Sequence, residues 1–83
     1  MPSTVLPQVR AIAADLFGVA EDTIDADSSP ETVDGWDSLQ HLNFVLALED
    51  RFGLQLSPEE MDAVRTIGAA ADIVERRIQQ VAS

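Results

Sequence analysis

The segment from Ser38 to Phe52 most constrains the fold, because it contains neither glycine nor proline and its apolar residues recur at helical spacing. At 3.6 residues per turn these residues fall into two stripes along one helix. The first stripe is typical of a core-facing surface and consists of Phe44, Val45, Leu48 and Phe52, with His41 above them. The second, here called the leucine stripe, consists of Leu39, Leu42 and Leu46. A surface helix in a small domain normally buries one stripe, so we predict that the leucine stripe faces outward.

Two acids, Glu49 and Asp50, border the leucine stripe near the end of the same predicted helix. Negative charge is disfavoured there by the helix macrodipole, which indicates that the acids interact with an external partner. We predict that they form a partner-binding surface together with the leucine stripe. Two alternatives stay open at this point. Leu42 could pack between neighbouring helices, and the acids could form a solvated surface balanced by Arg51.

Ser38 stands at the start of this helix. If Asp37 is the N-cap, Ser38 occupies the first helical position, beside unpaired backbone N–H groups and the positive end of the dipole. A phosphate ester on the Ser38 hydroxyl would therefore lie in a favourable field. The alternative is that Asp37 and Ser38 are only two possible caps for one helix.

The remaining segments predict an all-α fold, a four-helix bundle with a long loop between the first two helices and a short third helix, in a single domain spanning 1–83. The first helix is expected to begin near Ser3 or Thr4 and to end at about Phe17, with Gly18 terminating it. The loop from Val19 to Gly35 is rich in Asp, Ser and Thr. Three apolar residues are expected to attach it to the core, namely Val19, Ile24 and Val33.

The last two helices carry clear start signals. Ser57 as N-cap, Pro58 at the first position and Glu60 two residues later predict a capping box for the short third helix. Thr66 is expected to cap the fourth helix. The apolar face of that helix is predicted to consist of Ile67, Ala70, Ala71, Ile73, Val74, Ile78 and Val81.

Composition limits the function. Eighty-three residues with 46% apolar content form one modest core, without room for a deep active site and its supporting shell, so we expect a non-enzyme. A net charge of −10 argues against nucleic-acid binding and favours basic protein partners. Seven of the fifteen acids lie between Glu21 and Asp37, where no base offsets them. The chain has no cysteine and no apolar run long enough to cross a bilayer, so we expect a cytoplasmic monomer without a membrane partner.

Two other kinds of chemistry, and the role of Trp36, can be considered from the sequence. His41 follows Ser38 by three residues, as a serine–histidine nucleophile would require, but nothing in the sequence supplies an oxyanion site, and a core-lining role fits better. Asp25 and Asp27 begin like a calcium loop, but Pro30 and Trp36 stand where such a loop needs Gly and Glu. We therefore expect no metal site, with a weak cation site including Glu31 as the alternative. Trp36 is expected to pack the loop onto the bundle, the alternative being a partially exposed docking contact.

Three stretches of the sequence together resemble the acyl carrier protein family, the phosphopantetheine-binding domains of fatty-acid, polyketide and nonribosomal peptide assembly. The family signature Asp-Ser-Leu at the start of the second helix is matched by Asp37-Ser38-Leu39. The stretch from Leu48 to Leu54 and the sequence Ser57-Pro58-Glu59-Glu60 resemble the end of that helix and the entry to the third.

The resemblance implies a covalent cofactor and a set of partners. It identifies Ser38 as the attachment site of a 4'-phosphopantetheine arm derived from coenzyme A, with Asp37 and Trp36 beside it in the cofactor-binding site. The arm would hold an acyl group as a thioester. The implied partners are a phosphopantetheinyl transferase, an acyl- or aminoacyl-loading ligase, and downstream transferases and synthases.

The sequence departs from the family's fatty-acid members just after the serine. Those carriers usually have acids there, whereas this chain has Gln40, His41 and Asn43. The preceding Gly35-Trp36 is more similar to carriers of specialised polyketide, peptidyl or cell-surface pathways. We therefore expect an acyl carrier of a specialised pathway, with an aminoacyl or peptidyl carrier as one alternative and an unmodified acidic interaction module as another.

Overall fold

The computed structural model describes residues 5–82, and side chains over residues 5–79. The described residues form four α-helices, which confirms the predicted all-α bundle. The predicted helix start at Ser3 or Thr4 lies outside the described residues. The helices are α1 (Val5–Phe17), α2 (Ser38–Phe52), the short α3 (Pro58–Ala63) and α4 (Ile67–Ala82).

The core lies where α1 packs against α2 and α4. Val9 of α1, Phe44 of α2 and Ile67 of α4 are fully buried, as are most of their apolar neighbours at helical spacing. The predicted core face of α2 is confirmed at Val45 and Leu48. This arrangement leaves the opposite side of α2 uncovered, which is the side that carries the leucine stripe.

Local signals in the sequence set the helix ends. Gly18 and Gly53 adopt left-handed backbone angles just after α1 and α2, with φ of 70° and 65°, where residues other than glycine are strained. The Ser57 hydroxyl accepts from the N–H of Glu60, while the Glu60 carboxylate accepts from the N–H of Ser57, so the predicted capping box is present. Thr66 caps α4 by accepting from the N–H of Ala69.

The long loop between α1 and α2 is hydrogen-bonded to α1 and to the start of α4. The Arg10 guanidinium of α1 donates to the carbonyl oxygens of Ile24 (2.8 Å) and Glu21 (3.1 Å). At the start of α4, the N–H of Ile67 donates to the carbonyl of Ser28 at 3.0 Å, so the loop satisfies a group that the helix leaves unpaired. The loop also contains a short 3₁₀ helix, Glu21–Thr23, which the sequence analysis did not predict. Ile24 and Val33 are buried, as expected, and Val19 packs against the core.

The apolar face predicted for α4 is only partly buried. Ile67, Ala70 and Val74 are fully buried, but Ile78 is 37% exposed, so its assignment to the core was wrong. Helical spacing identifies the apolar face but does not determine how much of that face other elements cover. The side chain of Val81 lies outside the described ones. No described helix combines the length and the apolar content needed to span a membrane.

Candidate functional site

Ser38 is an exposed residue at the first position of α2. The Asp37 carboxylate accepts from the backbone N–H of Gln40 at 2.9 Å, which confirms Asp37 as the N-cap. Because the cap function is filled by Asp37, the Ser38 hydroxyl is not needed to begin the helix. The alternative, in which Asp37 and Ser38 are two possible caps for the helix, is therefore wrong.

The surroundings of the Ser38 hydroxyl suit a phosphate ester. Among residues 5–82 the Ser38 side chain makes no hydrogen bond, and the backbone N–H groups of Ser38 and Leu39 have no acceptor. These free donors lie at the positive end of the α2 dipole, where a phosphate oxygen is stabilised. A phosphodiester on Ser38 thus fits the residues that are present, without displacing an existing contact.

An open cleft of about 790 Å³ adjoins Ser38. It lies between the long loop, the start of α2 and the connection from α3 to α4. Its apolar and aromatic lining includes Trp36, His41 and Val64, while Arg65 and several acids contribute charge. The cleft has the size of a ligand site, but its openness to solvent leaves whatever occupies it accessible to a second protein.

Trp36 lies at the inner side of this cleft and is only 2% exposed. Its indole stacks on Phe17, with ring centroids 5.1 Å apart, and forms a T-shaped contact with Phe44, with centroids 5.5 Å apart. The prediction that Trp36 packs the loop onto the bundle is therefore confirmed, and the alternative of an exposed docking contact is wrong. A contact with the bound arm stays a prediction for this residue.

Gly35 explains how Trp36 reaches that position. A Cβ atom on Gly35 would lie 2.8 Å from the carbonyl oxygen of Phe17, which is closer than real Cβ contacts allow. Only glycine therefore permits the loop to approach the end of α1 so closely. The pair Gly35-Trp36 therefore has a packing role: Gly35 allows the close approach to α1, and Trp36 is buried in the core.

His41 has both ring nitrogens engaged. The Trp36 indole N–H donates to Nδ1 at 3.0 Å, and Nε2 lies 3.2 Å from the carbonyl oxygen of Met61 in α3. Since indole only donates and a carbonyl only accepts, the hydrogen-bond network assigns the ring proton to Nε2. No lone pair remains for a proton from Ser38, which excludes the serine–histidine nucleophile and agrees with a core-lining role.

The leucine stripe faces solvent, as predicted. Leu39, Leu42 and Leu46 are 68%, 50% and 51% exposed. The alternative in which Leu42 packs between two helices is therefore wrong. Monomeric proteins seldom line up large apolar side chains in this way without a use for them, so the prediction of a partner-binding surface stands.

The two acids beside the leucine stripe differ in their surroundings. The Glu49 carboxylate accepts from the backbone N–H of Leu56 at 2.9 Å and so holds the segment that leads into α3. Asp50 is exposed. The sequence analysis missed this role of Glu49, because the partner is a backbone group seven positions away on the far side of a turn. Both residues stay predicted partner contacts.

Polar residues on the side of α2 that faces α1 form hydrogen bonds within the protein. The Gln40 amide donates to the carbonyl oxygen of Leu16 at 3.3 Å and accepts from Asn43 at 3.0 Å. Both side chains are half-buried. At these positions the chain therefore has packing residues that connect α2 to the end of α1.

The acids of the long loop build turns. Asp25 accepts from the backbone N–H of Asp27 at 2.9 Å and from the Ser28 hydroxyl at 3.4 Å. Within the part of the chain that the structure describes, no three acids or histidines come together as metal ligands do. The weak cation site considered for Asp25, Asp27 and Glu31 is therefore not formed.

Comparison with known proteins bears on this geometry. A family model described as "Phosphopantetheine attachment site" matches residues 7–74. An acyl carrier protein from Enterococcus faecalis, described for its high thermal stability, is 32% identical, with a TM-score of 0.69, over 84% of this chain and 89% of that one. A holo acyl carrier protein from Geobacter metallireducens is 23% identical, with a TM-score of 0.83, over 94% of this chain and 90% of that one, and shows the same fold.

Proposed function

Because this chain belongs to the acyl carrier protein family of phosphopantetheine-binding domains, we propose that it holds an acyl group as a thioester on a 4'-phosphopantetheine arm attached to Ser38. Members of this family are carriers and not catalysts, and phosphopantetheine is their prosthetic group. The assignment of Ser38 rests on its hydroxyl, which is exposed and has no hydrogen-bond partner among the described residues. Ser38 begins α2 and lies within the region that the family model matches.

Attachment requires the Ser38 oxygen to form a bond to the phosphorus of coenzyme A that carries the pantetheine. The bond from that phosphorus to the adenosine bisphosphate breaks, and the hydroxyl proton must leave. His41 cannot accept this proton, since both of its ring nitrogens are engaged. We assign the base to the transferase, while this chain contributes the accessible nucleophile and the N–H groups of Ser38 and Leu39.

Carrier proteins interact with phosphopantetheinyl transferases and with biosynthetic enzymes. For this chain we assign those contacts to the leucine stripe with Asp50 and Glu49. Exposed apolar side chains beside negative charge suit a small, transient interface with a basic partner, because steering speeds association without preventing release. The partners would include a loading ligase and downstream transferases or synthases.

The absence of acids after Ser38 favours a specialised pathway. Gln40 and His41 are engaged with α1, Trp36 and α3, so early α2 offers packing groups where a charged docking surface would need carboxylates. An aminoacyl or peptidyl carrier is the second candidate, since it shares the Gly35-Trp36 pair and the same site. The two differ in the enzyme that loads the thiol.

The test of the carrier function is intact-protein mass spectrometry after incubation with coenzyme A and a broad-specificity phosphopantetheinyl transferase. We expect the parent to gain the mass of one phosphopantetheine and Ser38→Ala to gain none while keeping its helical circular dichroism spectrum. Ser29→Ala is the matched control, because Ser29 lines the same cleft, and it should be modified like the parent. A parent that several transferases leave unmodified would contradict the proposal and favour the interaction module.

A further inference from the structure

The residues between the Ser38 cleft and the helix core are large and closely joined. Trp36 and His41 both line the cleft, and their rings lie nearly parallel, 6.1 Å apart, with an interplanar angle of 16°. On the inner side the indole contacts Phe17 and Phe44, which are buried in the core. We call Trp36 and His41 the aromatic barrier, because their rings line the cleft where it borders the core.

The aromatic barrier is fixed on three sides. Trp36 precedes α2 and stacks on α1 through Phe17, while His41 belongs to α2 and donates to the Met61 carbonyl of α3. The bond from the indole N–H to His41 Nδ1 joins the two rings to each other. Moving either ring aside would leave a half-buried polar group without its partner, which is costly. The barrier is therefore held by hydrogen bonds as well as by packing.

The arm on Ser38 is attached at the edge of the cleft, so a cargo that folds back along the arm meets the cleft before the core. An apolar acyl chain is stabilised by leaving water, and the bundle core is the nearest continuous apolar volume. Phe44 and its neighbours lie behind Trp36 as seen from the cleft, and Val64, a core residue that also lines the cleft, is itself only 2% exposed. Building on the proposed function, we propose that the aromatic barrier keeps the acyl group outside the bundle, so that this carrier is suited to short or polar cargo and not to long apolar chains.

The test compares cargo accessibility in the parent and in a variant with an opened barrier. A transferase loads an octanoyl-phosphopantetheine from octanoyl-coenzyme A, intact mass confirms loading, and hydroxylamine cleavage of the thioester is then followed in time. We expect the parent thioester to be cleaved at the rate of free octanoyl-coenzyme A. His41→Ala, which removes one ring and both hydrogen bonds, should be cleaved at least about fourfold more slowly, the factor that burial of one methylene group provides.

Controls separate the barrier from other effects. Asn43→Ala alters the same helix away from the cleft and should behave like the parent. With an acetyl cargo all variants should be cleaved at the free rate, because there is no chain to bury. Should His41→Ala lose its helical circular dichroism signal, Trp36→Phe is the second variant, since it removes the indole N–H and part of the ring area while keeping an aromatic side chain.

Two results would overturn the inference. One is a parent whose octanoyl thioester is itself protected more than about fourfold, which would mean that one methylene group or more is buried despite the barrier. The other is a folded, opened variant whose thioester is cleaved as fast as that of the parent. Failure of the proposed function is distinguishable from both, because it appears earlier as the absence of any mass gain on Ser38.

Discussion

At the scale of single residues, Asp37 and Ser38 have different roles at the start of α2. Asp37 caps α2 and thereby leaves the neighbouring hydroxyl exposed and without a partner among the described residues. This arrangement could be predicted from the sequence, because an N-cap acts over three residues and its chemistry is local. The same locality makes the cap contribution measurable by substitution.

We expect Asp37→Ala to lower the free energy of unfolding by about 1 kcal/mol, because the N–H of Gln40 loses its acceptor. Asp37→Asn should stay close to the parent, since asparagine is an equally good cap. Thermal unfolding followed by circular dichroism measures both. Equal stability of the alanine and asparagine variants would show that the bond to Gln40 contributes nothing to the fold.

Other residues of the site could not be predicted from the sequence. The engagement of His41 depends on an indole and on a carbonyl twenty positions away, and that of Glu49 depends on a backbone N–H beyond a turn. Neither contact has a local pattern, since each arises only when the helices pack. The sequence placed His41 on the core face correctly but contained no sign of what its nitrogens would bond.

At the scale of elements, the short α3 is held by one side chain with two roles. Glu60 closes the capping box with Ser57 and also forms a 2.7 Å ion pair with Arg77 of α4. The hydrogen bond from the Ser57 backbone holds the pKa of Glu60 below its ordinary 4.5; burial, the next effect in size, opposes this, and the Arg77 contact adds to the lowering. A lowered folded-state pKa means that the charged form stabilises the fold.

We expect Glu60→Gln to be less stable than the parent near neutral pH by about 1 kcal/mol or less, because the ion pair is partly exposed. Glutamine keeps the capping-box geometry, so the substitution isolates the charge. Because the pKa is lowered on folding, the contribution is present above pH 4.5 and is lost as the pH falls through the folded-state pKa. Urea unfolding over this range measures it, and a difference between the two proteins that did not change with pH would contradict this account.

All four helices could be predicted from periodicity and caps, whereas the structure of the long loop could not. The 3₁₀ helix Glu21–Thr23 is held by Arg10 at its first residue, Glu21, and at Ile24, which follows its last residue. Its sequence is rich in residues that also form turns, and the side chain that orders it belongs to another helix. The exposure of Ile78 was missed for a related reason, since helical spacing predicts a face but not how much of it other elements cover.

At the scale of the whole molecule, the proposed partner surface combines exposed apolar side chains on α2 with a strongly negative net charge. The leucine stripe is exposed beside a site within reach of a second protein, and the net charge is −10. Such a surface attracts basic enzymes over distances comparable with the Debye length. The apolar contact of the leucine stripe would supply the affinity for these enzymes, and the negative charge would raise the rate of association with them.

We expect Leu42→Glu and Leu46→Glu each to slow transfer of cargo to a partner enzyme while changing the free energy of unfolding by no more than about 0.5 kcal/mol, as is usual for exposed positions. Single-turnover transfer and chemical unfolding measure the two quantities. Ile78→Glu is the matched control, because it alters an exposed apolar residue on another helix and should leave transfer unchanged. Strong destabilisation by the leucine substitutions would mean that these side chains stabilise the fold.

The most direct test of the central claim is to digest the transferase-modified protein and locate the added group by tandem mass spectrometry. The account predicts one phosphopantetheine per chain, on Ser38. Attachment at another serine, such as Ser28, Ser29 or Ser57, would contradict the assignment of the exposed hydroxyl at the start of α2 as the point from which this carrier presents its cargo.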